Sequence, residues 1–260
     1  MTSIPVLLYH HVAPDREITP QGFERQLRWL REQGFRSLST REFYDHLTQK
    51  QAAPDRSVVI TFDDGYADNW VYASPLLKKY AMKAHLFVIT GYISSSHCRP
   101  TSEQGGQLTD THTQERAPAG FLSWEELKAM SNSGIWEIGS HTHTHKHFLQ
   151  HAPYDNLEKE LQQSKEELEN HLGRWSGTLA WPWGEFDEEW LTLLPKTGYR
   201  LAFTTRIGSN GPGRDPLMIR RFKVQRESVA WLAPRLWLYR TSPLANAYGH
   251  FYGLDRKIKN

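Results

Sequence analysis

Cysteine is almost missing: Cys98 is the only one in 260 residues. The chain therefore cannot close an internal disulfide, nor build a cysteine-based zinc site by itself. Any metal it holds must be bound by His, Asp or Glu. Also missing is an apolar run of about 20 residues, the length a bilayer-crossing helix needs. The first ten residues carry neither a basic opening nor a sustained apolar stretch, and Asp15 and Glu17 soon follow. That is not the form of a secretory signal, so a cytoplasmic location is expected. What is present suffices for one large domain: 38% of the residues are hydrophobic, in a chain long enough to bury a core.

The formal net charge of +2 conceals an uneven distribution. From Arg214 onward, ten Lys/Arg face three Asp/Glu, interleaved with Trp231, Trp237, Tyr239, Tyr248, Phe251 and Tyr252. A basic, aromatic end suits an anionic membrane surface or a negatively charged sugar carrier. A terminal extension packed partly on the domain is the simpler alternative. The expected division is a domain over 1–225 and an extension over 226–260, with no nucleic-acid partner.

Seven short apolar segments read as strands: 6–9, 35–38, 58–62, 85–89, 136–139, 178–181 and 201–204. Helical patterns separate most of them. One over 21–33 lies between Pro20 and Gly34. Thr40 is expected to cap a short helix ending before Gln49. Ser123 with Glu126 forms a capping box, a charged amphipathic helix runs over 156–172 to Gly173, and Asp187 caps another. Residues 94–120 lack a period and read as a long surface loop. The alternation of strand and helix predicts a parallel α/β domain, open or closed into a barrel.

The chemistry gathers where strands stop. Val58-Val59-Ile60-Thr61-Phe62 runs into Asp63-Asp64-Gly65-Tyr66, and two adjacent carboxylates are costly to bury unless a cation, a proton or hydrogen bonds compensate. His10 and His11 follow the first strand, His141, His143, His145 and His147 follow the fifth, and Pro182-Trp183-Gly184 follows the sixth. In a parallel barrel these ends share one rim. Carboxylate and imidazole together suit zinc or a similar divalent ion. Each motif alone has a plainer reading: Asp-Asp-Gly as a turn, the His run as a solvated cluster, His10 or His11 as a satisfied structural histidine, and Trp183 as core.

In combination these residues resemble the polysaccharide deacetylases with a NodB-type domain, carbohydrate esterase family four. Thr61-Phe62-Asp63-Asp64-Gly65-Tyr66 looks like that family's first motif and His141-Thr142-His143-Thr144-His145 like its second. The resemblance spans about residues 4–224 and implies a distorted seven-stranded β/α barrel. It implies Asp64, His141 and His145 as metal ligands, Asp63 as general base, and Thr142 as a brace for the motif loop. The metal it implies is Zn2+, with Ni2+, Co2+ or Fe2+ as alternatives.

Leu179-Ala180-Trp181-Pro182-Trp183-Gly184 looks like the third motif, which walls the substrate groove. Tyr66, Trp181, Pro182 and Trp183 are the substrate-binding candidates, and the Trp183 backbone N–H is a candidate oxyanion donor. Ala180 stands where most members carry a base-orienting arginine, and Arg220 or Arg221 is the candidate replacement. The usual C-terminal Leu-x-His motif is absent, but Tyr9-His10 fits the permuted, poly-N-acetylglucosamine deacetylase type, making His10 the expected general acid ahead of His11. The implied reaction removes the N-acetyl group from a sugar of a glycan or a lipid- or nucleotide-linked precursor. Hydrolysis of a small non-sugar amide is the alternative, and a non-catalytic glycan-binding domain a third reading.

Overall fold

The computed structural model of the chain describes residues 3–95, 98–108, 120–149 and 156–257, with side chains to residue 251. Residues 96–97 and 109–119 of the expected long loop lie outside the described residues.

The strands are β1 (Val6–Tyr9), β2 (Arg36–Ser37), β3 (Ser57–Phe62), β4 (Ala84–Val88), β5 (Trp136–Ser140), β6 (Thr178–Ala180), β7 (Leu201–Phe203) and β8 (Phe222–Lys223). Their order is β7-β6-β5-β4-β3-β1-β8, with β2 added beside β3 and every pairing parallel. The eighth strand goes beyond the seven expected, and it matters for closure. Ile219 exchanges backbone bonds with Ala202 and Thr204 at the end of β7, while Phe222 and Lys223 pair with Leu7 and Leu8 of β1. One short segment thus joins the two edges of a curled sheet and completes a distorted α/β barrel.

Side-chain alternation sorts each strand into two packed layers. Val58, Ile60 and Phe62 face the helices, whereas Val59 joins Val6, Phe87, Ala180, Phe203 and Ile219 inside the barrel. The same parity carries Thr61 and Asp63 to the inner face of β3, and Arg221 and Lys223 to the inner face of the last segment. The helices are α1 (Pro20–Glu32), α2 (Thr40–Leu47), α3 (Ser74–Lys79), α4 (Trp124–Asn132), α5 (Leu157–Leu172), α6 (Glu188–Leu191), α7 (Leu193–Lys196), α8 (Val229–Arg240) and α9 (Ser242–Lys257).

Local sequence explains most boundaries. Thr19 Oγ1 accepts from Gly22 N at the start of α1, with Pro20 in the first helical position, where its missing N–H costs nothing. The cap of α2 is Ser39, one residue before the expected Thr40. Ser39 and Glu42 make a reciprocal capping box, because the box needs its acid three residues after the cap and Glu42 is three from Ser39. Ser123 with Glu126 caps α4, Asp187 caps α6, and Gly173 in the left-handed region ends α5. The C-terminal segment forms α8 and α9, and Leu232, Leu236, Tyr239 and Ala245 enter the main core.

Candidate functional site

The two carboxylates after β3 are separated by backbone geometry. Asp64 adopts φ +76° and Gly65 φ +84°, two successive left-handed residues that fold the chain back over the strand end. A Cβ on Gly65 would sit 3.0–3.2 Å from Val88, so glycine is needed there both for conformation and for space. Asp63 consequently stays on the barrel's inner face and Asp64 turns to the rim. Thr142, His145 and Trp183 also hold positive φ. Such strain gathers where the surroundings force a functional geometry.

Asp64, His141 and His145 converge. Their ligand atoms lie within 4.8 Å of one another, with Asp64 Oδ1 3.3 Å from His141 Nε2 and 3.5 Å from His145 Nε2. Ligands bonded to zinc at about 2.0–2.1 Å in a tetrahedron stand about 3.3 Å apart, so the spacing fits a divalent cation. His141 is oriented for it: Nδ1 meets the Ala180 carbonyl at 2.7 Å, which fixes the ring with Nε2 turned toward Asp64. Burial pushes the His145 imidazole down to about 4, aided by the charge of His141. Burial works to raise the Asp64 pKa, but the hydrogen bond and charge of His141 outweigh it and hold the carboxyl below the ordinary range. Two imidazoles and a carboxylate, with solvent access from the cavity, could hold a metal ion and match the donor types of catalytic sites.

The His loop is neither strand nor helix. His145 N donates to Thr142 Oγ1, Thr142 N donates to Ser140 Oγ, and Glu160 of α5 accepts from the backbone N–H groups of His143 and Thr144 at 3.0 and 2.8 Å and from Thr144 Oγ1 at 2.6 Å. Thr142 therefore braces the turn as expected, and Glu160 is a brace that sequence reasoning missed. His143 points to Thr90 and Gln163 instead of the cluster, and His147 stacks on Trp183 at 4.1 Å.

Arg221 is fully buried and grips Asp63 with two parallel bonds, Nη1 to Oδ1 at 2.7 Å and Nη2 to Oδ2 at 2.8 Å, while Nε donates to Thr204 O. Burial raises the Asp63 pKa, but the Arg221 charge, with His141 and the guanidinium hydrogen bonds, brings it below the usual carboxylate range. Arg220 does not share this role. Its Nη1 lies 3.4 Å from Ser209 O and its backbone N–H meets Asn210 Oδ1, because neighbouring residues on a strand face opposite ways.

At the end of β1 the two histidines differ. His10 is held close enough to Asp63 and Asp64 to feel both charges, yet burial dominates and lowers its pKa, and its Nδ1 has no hydrogen-bond partner among the described residues. His11 Nδ1 lies 2.6 Å from the buried Asp68 carboxylate, and its ring stacks on Tyr66 at 3.8 Å. Trp183 is exposed at the rim, whereas Trp181 is 1% exposed and packs against Phe186 and Trp190. Of the four aromatic and proline substrate candidates, Trp183 and Tyr66 thus present surface to the cavity, Trp181 lines it while almost wholly buried, and Pro182 is buried away from it.

Residues 50–202 match the family model described as Polysaccharide deacetylase. The chain belongs to the polysaccharide deacetylase family. Among the family's curated members, YxkH of Bacillus subtilis (strain 168), named as a polysaccharide deacetylase, is 30% identical over 85% of this chain and 71% of its own length. The poly-beta-1,6-N-acetyl-D-glucosamine N-deacetylase of Staphylococcus aureus (strain MSSA476) is 27% identical over 84% of this chain and 71% of its own. The solved structure of IcaB from Ammonifex degensii superposes with a TM-score of 0.75 at 26% identity, covering 93% of this chain and 98% of that one. The relatives thus share the architecture along nearly the whole barrel.

Proposed function

We propose that this polysaccharide deacetylase is a metal-dependent hydrolase that removes the N-acetyl group from an N-acetylated sugar of a glycan or its precursor, releasing acetate and a free amine. One observation carries the reading: the Asp64, His141 and His145 cluster lies in the same cavity as a second carboxylate, Asp63, held in place by Arg221. Asp63 is not needed to bind the cation, so its retention in a fixed orientation favours a catalyst over a binding module.

Asp64, His141 and His145 would hold the cation, and the mixed imidazole and carboxylate set favours Zn2+. A divalent cation there supplies polarisation of the acetyl carbonyl and makes water more acidic. Asp63, ionised and clamped by Arg221, takes the proton from the attacking water. His10 gives a proton to the departing sugar nitrogen, so that the amine leaves neutral. The Trp183 backbone N–H is the proposed donor to the developing oxyanion, and the Trp183 ring with Tyr66 offers surface for a sugar.

The similarity to the poly-beta-1,6-N-acetyl-D-glucosamine N-deacetylase of Staphylococcus aureus supports an N-acetylhexosamine substrate. A lipid-linked substrate and peripheral contact with the inner face of the membrane are part of the proposal. The Lys/Arg surplus from Arg214 onward favours an anionic leaflet, and Trp237, Leu244 and Phe251 are exposed on α8 and α9. No described helix is long and apolar enough to cross a membrane. Acetate release from an N-acetylglucosamine oligomer, abolished by a chelator and restored by Zn2+, is the expected result. Release only from a small non-sugar amide would select the alternative hydrolase, and binding without release the glycan-binding module.

A further inference from the structure

The cavity that holds the cluster has a volume of about 1210 Å³ and extends well past it, toward β8 and α8. Its charges are uneven. With Asp64 reserved for the cation and Asp63 paired to Arg221, the remaining described wall carries Lys146, Lys223 and Arg235, besides the neighbouring Arg16 and Glu17. A neutral hexosamine needs no such surplus, and cations drawn together in a concave site are unfavourable without a counter-charge.

Two of these cations are placed by the fold itself. Phe222 faces outward and stacks on Tyr239 of α8 at 4.4 Å, so Lys223 returns to the inner face, one step nearer the mouth than Arg221. There its charge reaches His10 and disfavours protonation of that imidazole. The guanidinium carbon of Arg235 on α8 sits over the Trp231 ring, 3.9 Å from its centroid, and Nη1 donates to Trp231 O at 2.9 Å. The ring contact and the hydrogen bond hold the guanidinium at the cavity wall. Neither Lys223 nor Arg235 has an ion-pair partner among the described residues.

We propose that Lys223 and Arg235, with Trp231 as floor, form an anion subsite that receives a phosphate or diphosphate carried by the substrate beside its N-acetylated sugar. A guanidinium fork and an ammonium on the wall of the same cavity are groups suited to phosphate oxygens. The substrate class is then a phosphate-bearing precursor in preference to a finished neutral polymer. This rests on the deacetylase reading above.

The test compares kcat/KM for three N-acetylglucosamine compounds: a neutral oligomer, a nucleoside diphosphate conjugate and a short-chain prenyl diphosphate conjugate. The diphosphate compounds should be preferred, and Lys223→Gln/Arg235→Gln should lower that preference by about tenfold or more, the worth of one charged hydrogen bond. Equal preference for both conjugates assigns recognition to the diphosphate alone, and preference for the prenyl form adds a contribution from the lipid. Calorimetric binding of inorganic pyrophosphate to the metal-loaded wild type and double variant gives a readout independent of turnover, with about tenfold weakening expected. If no sugar is deacetylated, the parent reading fails and pyrophosphate alone decides the subsite. Pyrophosphate affinity unchanged in the double variant, or an unchanged substrate preference, overturns it.

Discussion

Arg221→Met should be the most damaging single change near the site that leaves the cation ligands untouched. Asp63 is 3% exposed, and both its oxygens are matched by the guanidinium. Methionine fills similar space but strands a carboxylate inside the barrel. Removing one partner of a buried pair costs about 3–5 kcal/mol, because the survivor keeps its desolvation penalty without its compensation. For a domain of this size that is about 6–20 °C in Tm. The Arg221→Met/Asp63→Asn double variant carries no stranded charge, so about 1–3 kcal/mol of the loss should return. Turnover should not return, since the base is gone. Denaturant unfolding of the wild type, both single variants and the double variant yields the coupling, and acetate release yields the activity. An Arg221→Met protein within about 1 kcal/mol of wild type, with the double variant less stable still, would refute the reasoning.

Two more outcomes follow from the same geometry. Glu160→Ala removes the acceptor for three donors of the loop between His141 and His145. Metal affinity should fall about 10–100-fold although no ligand is changed, which a competitive zinc titration would show and an unaltered affinity would disprove. His10→Ala should lower turnover by about 10²–10⁴-fold with metal retained, whereas His11→Ala, which removes a ring tied to Asp68, should cost much less. The reverse order of losses would move the acid to His11.

The rim residues were legible because each follows a short β-branched or apolar run. Val58 to Phe62 announces both a strand and its end at Asp63, and parallel topology then brings Asp64 to the His141 loop. Arg220 and Arg221 could not be told apart, since a shift of one residue in register exchanges the inner and outer faces. Pairing of Phe222 with Leu7 fixes that register, and it is a tertiary fact. Helix α8 was hidden for another reason. It is apolar on several sides and contains Pro234, so it shows no clear polar stripe and carries an apparent breaker. Glu160 is one acid among many on α5, and only the packing of that helix against the His loop distinguishes it.

Metal content measured chain by chain, alongside acetate release, tests the central claim most directly. The wild type should bind one divalent ion per chain and deacetylate an N-acetylglucosamine compound. Asp64→Asn and His141→Ala should lose ion and activity together, while Asp63→Asn keeps the ion and loses turnover. An Asp64→Asn or His141→Ala protein that retains a full equivalent of metal and ordinary activity would contradict the account.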